Sequence, residues 1–213
     1  MRIFTVLKSG REYLPLHVRA LKRQIEQHSA TPHEFVCLTD IPVAGVECIR
    51  LDHDWPGWWA KMELFRPDLR GSILYFDLDT VITGSIEPLC QVAGLTLLRD
   101  FYRDGAPGHQ PEGLGSGLML LPEADRMTPW LSFSRNPKLL MNQFPGGDQR
   151  FLEMHYQHRA ARWQDLVPGV VSWKVHCAQR GTVPKAAAVV CFHGQPRPWA
   201  VPRFQNLYQE AAP

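Results

Sequence analysis

Ile73-Leu74-Tyr75-Phe76-Asp77-Leu78-Asp79-Thr80 is an apolar run that ends in two acids one residue apart. Four consecutive large apolar residues suit a strand covered on both faces, as in the middle of an α/β sheet. Side chains two apart on a strand share a face, so Asp77 and Asp79 would converge at its carboxyl end. Open α/β sheets bind ligands in the crevice beyond those ends. Two carboxylates held that closely repel unless a cation neutralises them. A hard divalent ion does so with oxygen ligands and keeps sites for phosphate oxygens. The competing local reading has Asp77 capping the strand and Asp79 opening an Asx-turn into Thr80.

On either side of this stretch, strand and helix signals alternate. Ile3–Leu7, Glu34–Leu38 and Val46–Leu51 read as strands, the last half-buried by its alternation. Leu14, Val18, Leu21 and Ile25 recur at helical spacing opposite Arg19, Lys22, Arg23 and Glu26. Ala60–Phe65 can form a short helix closed by Pro67. Further strands are predicted at Leu95–Leu98, Gly117–Leu121, Val170–Lys174 and Ala188–Phe192, with helices at Glu123–Ser134 and Asp148–His158. Phe101–Gly115, rich in Gly, Pro and charge, reads as a mobile loop, and the tail after Arg197 as a surface segment. The order predicts an α/β fold with a mixed central sheet. No repeat or linker divides the 213 residues, so one domain spanning 1–213 is expected.

A net charge of +2 and the lack of any basic run interleaved with aromatics argue against a nucleic-acid partner. No apolar run approaches the roughly 18 residues of a membrane span, and the N-terminal apolar stretch, broken by Lys8, is too short for a signal peptide. The five cysteines are scattered without a Cys-x-x-Cys pair, as expected of reduced thiols in a cytoplasmic protein.

Two chemistries place Asp-x-Asp after an apolar strand. Haloacid dehalogenase-type phosphatases use the first Asp as nucleophile, while metal-dependent glycosyltransferases give both acids to a cation. The phosphatase motif usually opens the chain and needs a later acidic pair; here the motif follows other strands and no such pair appears downstream. The surroundings extend this preference. Trp59-Ala60-Lys61-Met62-Glu63-Leu64-Phe65 followed by Ile73–Thr83 resembles the core of the glycogenin-like (family 8) glycosyltransferases. Val6-Leu7-Lys8 with Tyr13 is similar to that family's nucleotide-base segment, and Gly115-Ser116-Gly117 to its Asn-Ser-Gly strand beside the donor sugar. Gly147-Asp148-Gln149 resembles its Asp-Gln step, and His193-Gly194-Gln195-Pro196-Arg197-Pro198-Trp199 its closing His…Gly…Lys-Pro-Trp segment.

The resemblance implies a nucleotide-sugar-binding, GT-A-like fold, with 1–100 as the nucleotide-binding half and 101–213 as the acceptor side. It implies a UDP-sugar donor, a glycan or other hydroxyl acceptor, and transfer with retention of configuration. Asp77, Asp79 and His193 would hold Mn2+, which suits a mixed carboxylate and imidazole set better than Mg2+ does. Leu7, Lys8, Tyr13, Lys61, Asp77, Leu78, Ser116, Gly117, Gly194 and Arg197 would contact the donor, and Asp148, Gln149 and Lys61 would serve catalysis. Bland roles stand beside these. Lys61 can snorkel, Asp148 can cap its helix, Tyr13 can anchor the first helix, and Trp55, Trp58 and Trp59 can be core anchors rather than a carbohydrate platform. Three departures separate the chain from glycogenin itself. His193 and Gly194 are adjacent where the family spaces them, Gly115 replaces an Asn, and no tyrosine is marked as a self-glycosylation acceptor. A non-catalytic sugar-nucleotide binder is the remaining alternative.

Overall fold

The computed structural model describes residues 1–102 and 113–209. Its centre is the strand predicted at Ile73–Phe76, now β4 of a seven-stranded sheet. The other strands of that sheet are β1 (Arg2–Leu7), β2 (Glu34–Thr39), β3 (Glu47–Arg50), β6 (Thr96–Arg99), β7 (Leu114–Leu121) and β8 (Ala161–Arg162), arranged β3-β2-β1-β4-β7-β6-β8. The β3 to β4 half is parallel, while β7 runs antiparallel to both β4 and β6. The sheet is therefore mixed, as expected.

Alternation explains the apolar run. Leu74 and Phe76 enter one core with Ile3, Leu7, Val18, Leu21 and Ile25, the last three from α1 (Pro15–His28). Ile73 and Tyr75 enter the opposite core with Phe4, Trp59, Phe65, Phe133 and Phe151. A strand covered on both faces has no use for polar side chains, so the sequence reads as unbroken hydrophobicity.

A second sheet joins β5 (Thr80–Ile82), β9 (Val170–Ser172) and β10 (Val189–Cys191) in the order β5-β10-β9. The chain passes from the large sheet to the small one through Asp77–Thr80, a turn in which Thr80 N donates to Asp77 O at 3.0 Å. This corrects the expected continuous strand: β4 ends at Phe76, and the acids converge because the chain bends between two sheets.

Other elements shift in instructive ways. The helix over Ala60–Phe65 is a longer 3-10 helix, Gly57–Phe65. The strand expected to Lys174 stops at Ser172, where a π-helical turn (Trp173–Cys177) begins with Ser172 Oγ accepting from Val175 N. β3 is mostly exposed, as an edge strand rather than a half-buried one. Helices α3 (Glu123–Arg135) and α5 (Asp148–Tyr156) match expectation; short helices α2 (Glu87–Cys90), α4 (Pro137–Gln143) and α6 (Trp163–Leu166) were not foreseen. The tail after Arg197 is not a surface segment. Its 3-10 turns bury Pro198, Phe204 and Tyr208, and Phe204 packs on Trp173 and Phe192. Of the predicted loop, Leu114 and Gly115 belong to β7, and residues 103–112 lie outside the described residues.

Candidate functional site

After β1 the chain moves to β2 on one side of it, whereas β4 lies on the other. This makes the carboxyl ends of β1 and β4 the topological switch point, where open α/β sheets bind ligands. A cavity of about 430 Å³ opens there, lined by Lys8, Tyr13, Lys61, Asp77, Leu78, Asp79, Ser116, Gly117, Asp148, Gln149, His193, Gly194 and Arg197. Residues scattered through the whole sequence thus share one space. Leu7 is the exception among those singled out: its side chain lies wholly in the core, because the inward register of β1 points it there.

Lys61 organises the floor. Its ammonium stands 3.0 Å from Asp148 Oδ2 and 3.3 Å from Asp77 Oδ1, and donates to Ser116 Oγ at 3.0 Å. The residue is 8% exposed, so the charged end does not snorkel into water. Burial pushes its pKa down, but Asp148 and Asp77 more than offset this and hold it above the usual lysine range. Burial raises the Asp148 pKa and Lys61 opposes that rise. Asp148 does not cap α5; Gly147 occupies the N-cap, and no side chain caps the helix. Gln149 Nε2 donates to Asp100 Oδ2 at 3.0 Å.

The two acids of the turn have different partners. Asp77 accepts from Tyr75 Oη, and its backbone N donates to Gly117 O at 2.9 Å. A Cβ on Gly117 would come within 3.2 Å of Asp77 Oδ2, so glycine there admits the carboxylate. β7 is irregular here, since pairing jumps from Leu97–Met119 to Leu98–Gly115 and leaves Ser116 and Gly117 free of the ladder. Asp79 accepts from Tyr13 Oη at 3.1 Å and from Arg197 Nη1. Burial, with Asp77 nearby, raises its pKa well above the carboxylate range against the pull of Arg197.

Arg197 is also gripped by Glu12, which accepts from Nε at 3.1 Å and from Nη2, and it lies 5.1 Å over the Tyr13 ring. Tyr13 further meets Trp199 edge-on at 5.7 Å, so it anchors the N-terminal turn to the closing segment. Lys8 is paired with Asp40 and Asp54. Glu12, Asp100 and Tyr75 were not singled out in the sequence. Only the position of Asp100 just past a predicted strand could have flagged it.

Among the described residues, no three His, Cys, Asp or Glu side chains gather closely enough to hold a metal. His193 lines the same cavity but its Nε2 is 2.7 Å from Ser172 Oγ, and its ring stacks on Phe101 at 5.9 Å. Burial, then Lys174, lowers its pKa to about 4, so the imidazole is neutral. Its shielded Nδ1 has no hydrogen-bond partner among the described residues; when Nε2–H donates to Ser172, Nδ1 carries the lone pair. The carboxylates of Asp77 and Asp79 and a neutral imidazole with a spare nitrogen are of the donor types that a divalent cation takes. In this structure the Arg197 guanidinium supplies positive charge to Asp79 instead.

No family model matches the sequence and no curated relative is found. Solved structures do match the fold. The galactosyltransferase LgtC, determined with donor and acceptor sugar analogs, superposes with a TM-score of 0.71 at 15% identity, covering 98% of this chain and 95% of LgtC. The glycosyltransferase GlyE of Streptococcus pneumoniae gives 0.67 at 15% identity over 99% of this chain and 61% of GlyE. Mouse xyloside xylosyltransferase 1 gives 0.52 at 15% identity over 92% and 97%. The chain has the GT-A-like fold of these proteins.

Proposed function

We propose that this protein is a glycosyltransferase that moves a sugar from a UDP-sugar to a hydroxyl of a glycan or other acceptor, with Mn2+ as the cation and Mg2+ as the substitute. The observation that carries this reading is the Lys61 ammonium buried between Asp77 and Asp148 at the switch point of a GT-A-like sheet. Asp77 and Asp79, with His193, would hold the cation. When bound, it would act as a Lewis acid on the leaving diphosphate.

The chain's own residues do the rest. Lys61 and Arg197 place fixed positive charge where the departing nucleotide diphosphate develops negative charge. The planar guanidinium of Arg197 can meet two phosphate oxygens at once, as a lysine could not. Lys8, Tyr13, Leu78 and Gly194 line the cavity and would form its donor side, with Ser116 and Gly117 beside Asp77 where the donor sugar would sit. Asp148 and Gln149, which line the same cavity, would face the sugar and the incoming hydroxyl. Asp148 is held in a charged pair with Lys61, which fits it to positioning rather than covalent attack. Retention then follows from an acceptor that approaches on the face the nucleotide leaves.

The test is a thermal-shift screen of UDP, GDP, CMP and their sugars, with and without Mn2+. At a hundredfold excess over Kd, UDP with Mn2+ stabilises by about 2.7 kcal/mol, roughly 5–10 °C for a chain of this size. Asp79→Ala and His193→Ala should each reduce that shift. No Mn2+-dependent response to UDP sinks the reading. Hydrolysis of p-nitrophenyl phosphate that is lost in Asp77→Asn would instead support the phosphatase chemistry.

A further inference from the structure

The sequence holds three tryptophans in a short span, and the structure separates them. Trp55 is 6% exposed and Trp59 5%, both in the core around Phe133. Trp58 is 57% exposed and lines the cavity. An isolated exposed aromatic needs no explanation, but this one packs against the start of α5. The five-membered edge of its indole lies against Gly147, where a Cβ would come within 2.4 Å of Nε1 and 2.7 Å of Cδ1. Gly147 has φ +80°, a conformation that suits glycine, and immediately precedes Asp148 and Gln149. The N-cap residue of α5 is therefore small for two reasons, and one is to seat the indole.

The result is an apolar plate, packed against Gly147 along one edge, at the rim of a polar cavity. A pyranose ring has the matching form, a face of C–H groups bordered by hydroxyls. Aromatic faces recognise the first, and side chains such as Gln149 and Asp148 recognise the second. Lys61, three residues along the same 3-10 helix, is paired with Asp77 and Asp148, and Arg197 with Asp79 and Glu12, so the charge of each is already matched by acids of the chain. We propose that Trp58 is the stacking face for the acceptor, a neutral pyranose with one continuous C–H face, held in place by Gly147. This rests on the transferase reading, since only that reading requires a second sugar in the cavity.

Saturation-transfer NMR tests it on the full chain with UDP and Mn2+, using methyl β-D-galactopyranoside and methyl β-D-glucopyranoside as probes. At least one should receive saturation, strongest on the protons of one ring face. Trp58→Ala should weaken its binding on the order of tenfold, the scale of one aromatic stacking contact. Trp58→Phe should retain most of it, and Gly147→Ala, which displaces the indole, should lose it as Trp58→Ala does. Unchanged glycoside binding in Trp58→Ala overturns the proposal, as does the absence of transfer to either probe in the unaltered protein. The UDP shift is read on the same samples. Its failure in the unaltered protein defeats the transferase reading, whereas a normal UDP shift beside unaltered glycoside binding in Trp58→Ala defeats this inference alone.

Discussion

Replacing Lys61 by Met keeps the volume and removes the charge between Asp148 and Asp77. Asp148 is 3% exposed, so its carboxylate would be left in the interior without a cation. If it stays charged, breaking a buried pair of this kind costs about 3–5 kcal/mol. The alternative is to take up a proton at pH 7, about three units above the ordinary carboxylate pKa, which costs about 4 kcal/mol. Both routes give about 4 kcal/mol, or roughly 8–16 °C in Tm at this chain length. They differ in pH dependence. In the protonated route the folded variant binds a proton that the unfolded chain releases, so its stability rises as pH falls toward 4. The gap to the unaltered protein should then close by about 1.4 kcal/mol per pH unit below 7. Urea unfolding from pH 7.5 to pH 5, followed by tryptophan fluorescence, reads both numbers. Adding Asp148→Asn to Lys61→Met should restore most of the loss. A gap under about 1 kcal/mol, or no recovery in the double variant, would refute the placement of Lys61 as the counter-charge of a buried acid.

Two further outcomes follow from side chains around the N-terminal turn. His17 is 4% exposed, stacks on Trp199 at 3.8 Å and accepts from Leu14 N through Nδ1; burial lowers its pKa to about 4. The unfolded chain therefore holds more protons between pH 6.5 and 4, and this stability is complete above 6.5 and lost toward 4. After allowance for solvent screening, the loss is about 1–2 kcal/mol relative to His17→Gln, measured by denaturant midpoints across that window; parallel curves for the two proteins would contradict it. Arg197→Ala removes the guanidinium from Asp79, so the nucleotide-free protein should bind Mn2+ at least about tenfold more tightly, from the strength of a charged hydrogen bond, while UDP binds more weakly. Electron paramagnetic resonance of free Mn2+ checks the first half, and unchanged affinity there would count against it.

The parts legible in the sequence are those governed by local pattern. β1, β2 and β4 are apolar because both faces of the sheet are covered, and α1 shows its period because only one face is. The acids were found because their spacing is chemical. What escaped depends on contacts between distant residues. Glu12 has no local mark; it matters because Arg197, far along the chain, reaches it. Arg126 reads as one more charge on a helix, yet it is 2% exposed and donates to the carbonyls of Leu64, Arg66, Leu69 and Gly71, tying α3 to the approach of β4. Asp148 looks like a helix cap by sequence, and a buried lysine claims it instead. β5 is three residues long and follows a turn, too short to carry a period of its own.

The turn Asp77–Thr80 has a mechanical meaning as well. Asp77 is bonded to β7 of the large sheet, while Asp79 leads into β5, whose partner β10 carries the chain on to His193. The separation of the two acids is thus a gauge of how the sheets sit against each other. Substitutions at Trp173 or Phe204, which pack against Phe192 behind the small sheet, would register as altered carboxylate spacing, although neither residue lines the cavity.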